Sequence, residues 1–223
     1  MEKLIPFLMA AIFVAAAFGL LKLALAVSSR MTREKILSSR AVSGEAATAL
    51  FCSYFGMKNV LSHVVLPVET PVGRRFTHVD AVVLLPTGLV VLELKDLAGQ
   101  IENRDDRVWH QSTVTKTGET KEADFVSPFI QNERHLFAVR EILGKAIPVP
   151  IPVTGLVVFT SPHVSFTKKR PDVYSLTGAV DAMQSLSADA RKLTAEERKR
   201  VLSVLSAVSR KCSSLWAEQQ KKR

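Results

Sequence analysis

Cysteine is nearly absent from this chain of 223 residues: Cys52 and Cys212 are too few for a disulfide scaffold and wrongly spaced for a zinc knuckle. Histidine is scarce too, and His63, His78, His110, His135 and His163 show no metal-ligand spacing. There is no Gly-x-x-x-x-Gly-Lys-Ser/Thr loop and no dinucleotide-binding glycine pattern, so nucleotide binding has no positive support. Glycine and proline, ten of each, are too rare for collagen-like or low-complexity sequence, and no internal repeat is visible. Aromatic residues make up 7% and do not interleave with the basic clusters, which gives no sign of base stacking. Acidic residues are outnumbered by basic ones, 21 against 30, for a net charge of +9 and a pI near 9.8.

Apolar residues reach 47%, ample for a hydrophobic core, but they are unevenly spread. Leu4 to Leu21 carries no charge, and the apolar character continues past Lys22 to Val27. A helix of this length spans roughly 30 Å, the thickness of a bilayer's hydrocarbon core. Ala24-Leu25-Ala26 would suit signal cleavage, yet the run exceeds the ~7–15 residues of a signal-peptide core. Basic residues gather after it (Lys22, Arg30, Arg33, Lys35, Arg40) rather than before it. The asymmetry predicts an uncleaved single-pass anchor over residues 1–27 in the cell membrane, touching the bilayer through residues 4–27, with the soluble part cytoplasmic. Residues 28–40 read as a basic juxtamembrane connector, residues 41–165 as the main domain and 166–223 as a basic helical region. From Lys168 onward there are 13 basic and 6 acidic residues, a surplus suited to a nucleic-acid backbone, to anionic lipid or to a solvated helix face.

Within the main domain, Ser43 caps an expected helix from Gly44 to Phe55, ended by Gly56. Strands are expected at Val60–Val68, Thr77–Leu85, Leu89–Lys95, Gln100–Glu102 and Val108–Thr115. Ser127-Pro128 opens a helix over about Phe129 to Leu143, Val153 to Thr160 reads as a buried strand, and Thr194–Glu197 is a capping box before a C-terminal helix. This alternation predicts an α/β or α+β domain with a central mixed sheet flanked by helices.

Charges inside the apolar hairpin carry the chemical signal. Asp80 and Glu93 lie symmetrically about the Pro86–Thr87 bond, so a hairpin closing there sets them opposite each other on one face. A three-residue loop would instead oppose Glu93 to Ala81. Facing carboxylates call for compensation by a divalent cation, with Mg2+ or Mn2+ suited to oxygen ligands. Lys95, two residues past Glu93, shares its face. Two carboxylates, a metal and a lysine suit phosphodiester hydrolysis. The same residues would equally serve as solvated strand ends or an ordinary ion pair. His78 would share the Asp80 face in a regular strand, and Cys52 falls on the apolar side of its helix.

The ordered set Gly44-Glu45, Val79-Asp80, Pro86-Thr87-Gly88, Glu93-Leu94-Lys95, Gly99, Trp109, Ser127-Pro128-Phe129-Ile130-Gln131-Asn132 and Gly155 to Thr160 resembles the nuclease-related domain (NERD) family of the PD-(D/E)xK nuclease superfamily. The resemblance spans roughly Arg40 to Ser161. It implies an α/β, restriction-endonuclease-like fold, with Asp80 and Glu93 as metal ligands, Lys95 as the catalytic lysine, and Glu45 and Gln131 projecting toward the same site. It further implies Mg2+-dependent (or Mn2+-dependent) cleavage of nucleic acid, DNA more than RNA. The alternative is an inactive module that binds nucleic acid or protein at the membrane. Ala81, Asp96 and Leu97 stand where the family often has histidine, asparagine and an aromatic residue.

Overall fold

The chain divides into two units, residues 1–39 and 40–223. The computed structural model describes residues 4–39, 42–71, 73–103, 106–168, 170–188 and 191–221, without the side chains of 4–13, 16 and 219–221. Glu2, Lys3, the boundary residues Arg40 and Ala41, and the terminal Lys222 and Arg223 lie outside the described residues.

The first unit is a single helix, α1 (Leu4–Leu37). It continues through most of the stretch expected to be a connector. Residues 28–37 contain neither glycine nor proline, and their polar side chains bond at helical spacing. Arg30 Nε meets Glu34 Oε1 at 3.0 Å, and Arg33 Nη2 donates to Ser29 Oγ at 3.2 Å. Serine and arginine here decorate a helix rather than a loop. Among the described residues no helix is long and apolar enough to cross a membrane, so the span expected at 4–27 is not shown. More than half of the uncharged run, residues 4–13, has no described side chains. Farther along, Phe18, Leu20, Leu21, Leu23, Leu25 and Val27 are all exposed.

The second unit begins with α2 (Gly44–Phe55), capped by Ser43, whose Oγ accepts from Ala46 N. Then come β1 (Val60–Thr70), β2 (Gly73–Leu85), β3 (Gly88–Lys95), β4 (Gly99–Glu102), β5 (Val108–Val114) and β6 (Thr120–Val126). Next are α3 (Pro128–Ala146), β7 (Val153–Phe159), β8 (Val164–Phe166), β9 (Val173–Ser175), α4 (Leu176–Leu186) and α5 (Ala195–Lys221). The strands form two mixed sheets rather than one central sheet, in the orders β1-β2-β3-β7-β9 and β6-β5-β4-β8. In the first, β1, β2 and β3 are antiparallel, while β3, β7 and β9 run parallel.

Three of these elements depart from the sequence expectation. β6 is an edge strand with a mostly exposed face, so it lacks the alternation that reveals a half-buried strand. A turn around Gly118, at φ 84°, folds it back on β5. β8, three residues at the close of the main domain, has no counterpart in the sequence expectation, and β9, also three residues, interrupts the region from 166 expected to be helical. They extend the sheets by parallel pairing, β8 on β4 and β9 on β7.

Ala81–Leu85 of β2 and Gly88–Leu92 of β3 are buried on both faces, which explains their continuous apolar sequences. On one face Val82, Leu84, Leu89 and Val91 join Val139 and Leu143 of α3 with Val201 and Leu205 of α5. Residues of the other parity, including Ala81, Val83, Leu85, Val90 and Leu92, are equally buried. A second cluster, built on Trp109, Phe159, Ile101, Val157 and Val173, fastens the smaller sheet to the edge of the larger.

The C-terminal region closes on the β2–β3 turn. Leu193 N donates to Pro86 O at 2.7 Å, and Thr87 Oγ1 donates to Leu186 O at 2.8 Å. The capping box of α5 forms as expected, with Thr194 N to Glu197 Oε2 at 2.7 Å and Glu197 N to Thr194 Oγ1 at 3.1 Å.

Candidate active site

Hairpin register decides which charges meet. Only Pro86 and Thr87 separate the strands, and the ladder runs from Leu85↔Gly88 to Ala81↔Leu92. Continued by one residue, it sets Asp80 against Glu93, the arrangement expected for a loop closing at Pro86–Thr87. Lys95 follows on the same face.

The two carboxylates are held by different partners. Leu94 N donates to Asp80 Oδ2 at 2.8 Å, while Lys95 Nζ lies 2.7 Å from Glu93 Oε1. Glu93 is only 4% exposed. Burial pushes its pKa above the usual carboxylate value, Asp80 adds to that push, and Lys95 opposes it. Lys95 Nζ also donates to Gln131 Oε1 at 2.7 Å. Asp80 from the middle of β2, Glu93 and Lys95 from the C-terminal end of β3 and Gln131 from the first turns of α3 thus gather on one face.

Gly155 sets the height of α3 above the sheet. A Cβ there would lie 2.8 Å from both Asn132 Nδ2 and Leu136 Cδ1. With no side chain at 155, Asn132 Nδ2 reaches Leu156 O at 3.2 Å and Val91 O at 3.5 Å. Gln131, the neighbouring residue, is thereby lowered onto Lys95.

One helical turn beyond Gln131 stands His135, 6% exposed, with Nδ1 3.3 Å from Glu93 Oε2. The distance permits a hydrogen bond but the alignment does not, and Nδ1 has no hydrogen-bond partner. Burial, reinforced by the charges of His78, Arg134 and Lys95, lowers its pKa to about 4, which leaves the ring neutral at pH 7. The sequence reading passed over this residue. Its signal was the i, i+4 spacing from Gln131, which puts both side chains on one helix face.

His78 does approach Asp80, with Nδ1 3.8 Å from Oδ1, and its Nε2 lies 3.3 Å from His63 Nδ1. His63 has a φ of 51°, a strained position for a non-glycine residue. The indole of Trp216 on α5 stacks on His78, with centroids 5.7 Å apart and planes 22° apart. An aromatic surface therefore stands beside the acidic pair, a pairing hidden in the sequence because α5 is remote from β2. Glu45 occupies an exposed first-turn position on α2. Its carboxyl is held below the usual range by the local backbone, Ser43 and the charge of His63. Glu45 is thus linked to Ser43 and, through charge, to His63, whose ring meets His78 beside Asp80.

Among the described residues no three metal-ligating side chains form a ready cluster. The donor chemistry at Asp80 and Glu93 nevertheless fits a divalent cation: two adjacent carboxylates, one buried beside the partnerless nitrogen of His135. Cys52 is a partly exposed free thiol rather than a buried one, and Cys212 is a buried one.

Comparison with known families matches residues 41–160 to the nuclease-related domain. No curated protein and no solved structure matches the chain.

Proposed function

The chain belongs to the nuclease-related domain family, and from that premise we propose that it is a metal-dependent nuclease hydrolysing phosphodiester bonds. The observation that carries this reading is the bridge from Lys95 Nζ to Glu93 Oε1 and Gln131 Oε1, each at 2.7 Å. It holds an ammonium against a buried carboxylate at the point where the family's catalytic lysine belongs. Residues 41–165 are read as the nuclease-related domain and 166–223 as its basic extension.

Asp80 and Glu93 would hold Mg2+ or Mn2+, which when bound polarises a phosphate oxygen and acidifies water. Hydrolysis joins a water hydroxyl to phosphorus, breaks one P–O ester bond and returns a proton to the leaving oxygen. Lys95 is placed to donate hydrogen bonds to the attacking water or a phosphate oxygen. Gln131 fixes the ammonium with its carbonyl and keeps its amide N–H groups free to donate. The basic surplus of the C-terminal region supports backbone binding by phosphate neutralisation. A preference for DNA over RNA rests on the family resemblance.

We further propose a membrane anchor in residues 4–27, with the second unit on the cytoplasmic side. Its support is the uncharged run from Leu4 to Leu21, the exposed apolar side chains that follow, and the basic residues beyond them. A mature N-terminus at Val27, found by N-terminal sequencing, would replace the anchor with a cleaved signal.

The deciding assay uses the full chain in detergent micelles, with duplex DNA, single-stranded DNA and RNA offered with Mg2+ or Mn2+. Cleavage that EDTA abolishes, and that is lost in Glu93→Ala and Lys95→Ala, is expected. Undiminished cleavage in those variants would refute the catalytic assignment. A wild type that binds nucleic acid without metal and never cleaves it would establish the binding-module alternative.

A further inference from the structure

His135 is unusual among the five histidines. It is nearly sealed from solvent, and its Nδ1 has no hydrogen-bond partner while facing a carboxylate oxygen. Buried polar atoms are nearly always satisfied, so an orphan aimed into a candidate site invites the question of what satisfies it.

The surroundings narrow the answer. Glu93 Oε1 is taken by Lys95 Nζ at 2.7 Å, whereas Oε2 turns toward His135 at 3.3 Å. Two ligands of one ion at bonds of about 2.1 Å, separated by this distance, subtend an angle of about 100° at the metal, between tetrahedral and octahedral values. The edge from Oε2 to Nδ1 therefore has the dimensions of two adjacent coordination positions. Gly155 and the Asn132 bonds seat α3 firmly, so the imidazole does not depend on a loop for its place.

We infer that His135 Nδ1 is a ligand of the metal held at Glu93, and that this nitrogen turns the site from Mg2+ toward Mn2+. The inference rests on the metal-dependent reading above and deepens it. Mg2+ prefers oxygen ligands and keeps its waters, whereas imidazole is accepted readily by Mn2+ and later first-row ions. An all-carboxylate site would show no such bias. With Glu93 and His135 supplying one edge, further positions stay open for water and a phosphate oxygen.

The test is metal binding by the full chain in detergent, without nucleic acid. Mn2+ is titrated by EPR, Mg2+ is added as competitor, and pulsed EPR reads 14N coupling to bound Mn2+. Wild type is expected to show imidazole 14N coupling. His135→Ala is expected to lose it, with Mn2+ affinity falling about tenfold or more and Mg2+ affinity changing much less. His135→Gln should behave like His135→Ala while keeping a polar side chain, and circular dichroism checks that both variants fold.

His78 and His110 also stand near carboxylates, at 3.8 Å from Asp80 and 2.7 Å from Asp124. The coupling must therefore survive in His78→Ala and His110→Ala. Mn2+ bound without 14N coupling, equal weakening of both metals in His135→Ala, or no Mn2+ binding by wild type would each overturn the inference. Lys95→Ala separates this question from catalysis: it should abolish cleavage and retain the 14N coupling. Cleavage by a wild type lacking the coupling would remove the ligand and leave the nuclease standing.

Discussion

Replacing Lys95 by methionine keeps a flexible stem and deletes the ammonium between Glu93 and Gln131. Glu93, 4% exposed, then has no cation at 2.7 Å and faces a neutral imidazole instead. An ionised carboxylate stranded in this way costs about 3–5 kcal/mol. It can escape by taking up a proton. From an ordinary value near 4.3, protonation costs about 3–4 kcal/mol at pH 7, but only about 1.5 kcal/mol at pH 5.5. The lost bond to Gln131 adds about 1 kcal/mol at either pH.

The sign follows from proton binding. Glu93 already has a raised pKa in the folded protein, so the native state binds more protons than the unfolded chain between the unfolded and folded values. Stability therefore falls as pH rises through that window, and Lys95→Met widens and steepens the fall. The difference between wild type and variant should shrink by about 2 kcal/mol from pH 7 to pH 5.5. Urea unfolding of the full chain in detergent with EDTA measures it, read through the fluorescence of buried Trp109. Lys95→Met/Glu93→Gln should recover most of the loss, since no charge is then stranded. A pH-independent deficit, or a double variant no better than the single, would refute the reasoning.

Two other substitutions probe the scaffold. Gly155→Ala would place a Cβ 2.8 Å from Asn132 Nδ2 and Leu136 Cδ1, destabilising by about 1–3 kcal/mol; denaturant titration reads the loss, and lower cleavage per folded molecule is expected as α3 lifts Gln131 from Lys95. Thr194→Ala removes one half of the α5 capping box and should cost about 1 kcal/mol with metal affinity unchanged, read by thermal melting and Mn2+ titration.

What could be read in advance was whatever local chemistry specified. The β2–β3 hairpin was legible because Pro86, Thr87 and Gly88 fix its loop, and the apolar runs on either side fix its register. The same holds for α2 and α5, whose caps lie in Ser43 and Thr194. β6 was hidden because a solvated edge has no hydrophobic period, and β9 because three residues are too few to carry one. In residues 28–37, polar composition suggested a connector, but bonds at i, i+4 spacing favoured helix. At the site, Asp80, Glu93 and Lys95 announced themselves as charges in an apolar run. His135 lies on an ordinary amphipathic helix, and only the descent of α3 onto β3 and β7 brings it to Glu93. Trp216 was out of reach for the same reason, since tertiary packing alone stacks it on His78.

The clasp of the C-terminal region on the Pro86–Thr87 turn has a consequence for the order of events during synthesis. Asp80, Glu93 and Lys95 are made well before the residues that cover their hairpin, Leu186, Leu193, Val201 and Leu205, roughly 90–110 positions further along the chain. At about 5–20 residues per second, the hairpin waits roughly 5–20 s for its cover. The acidic pair therefore reaches its final packing only after residues 186–205 have been made, and a chain cut short before them carries the chemistry without the scaffold to hold it.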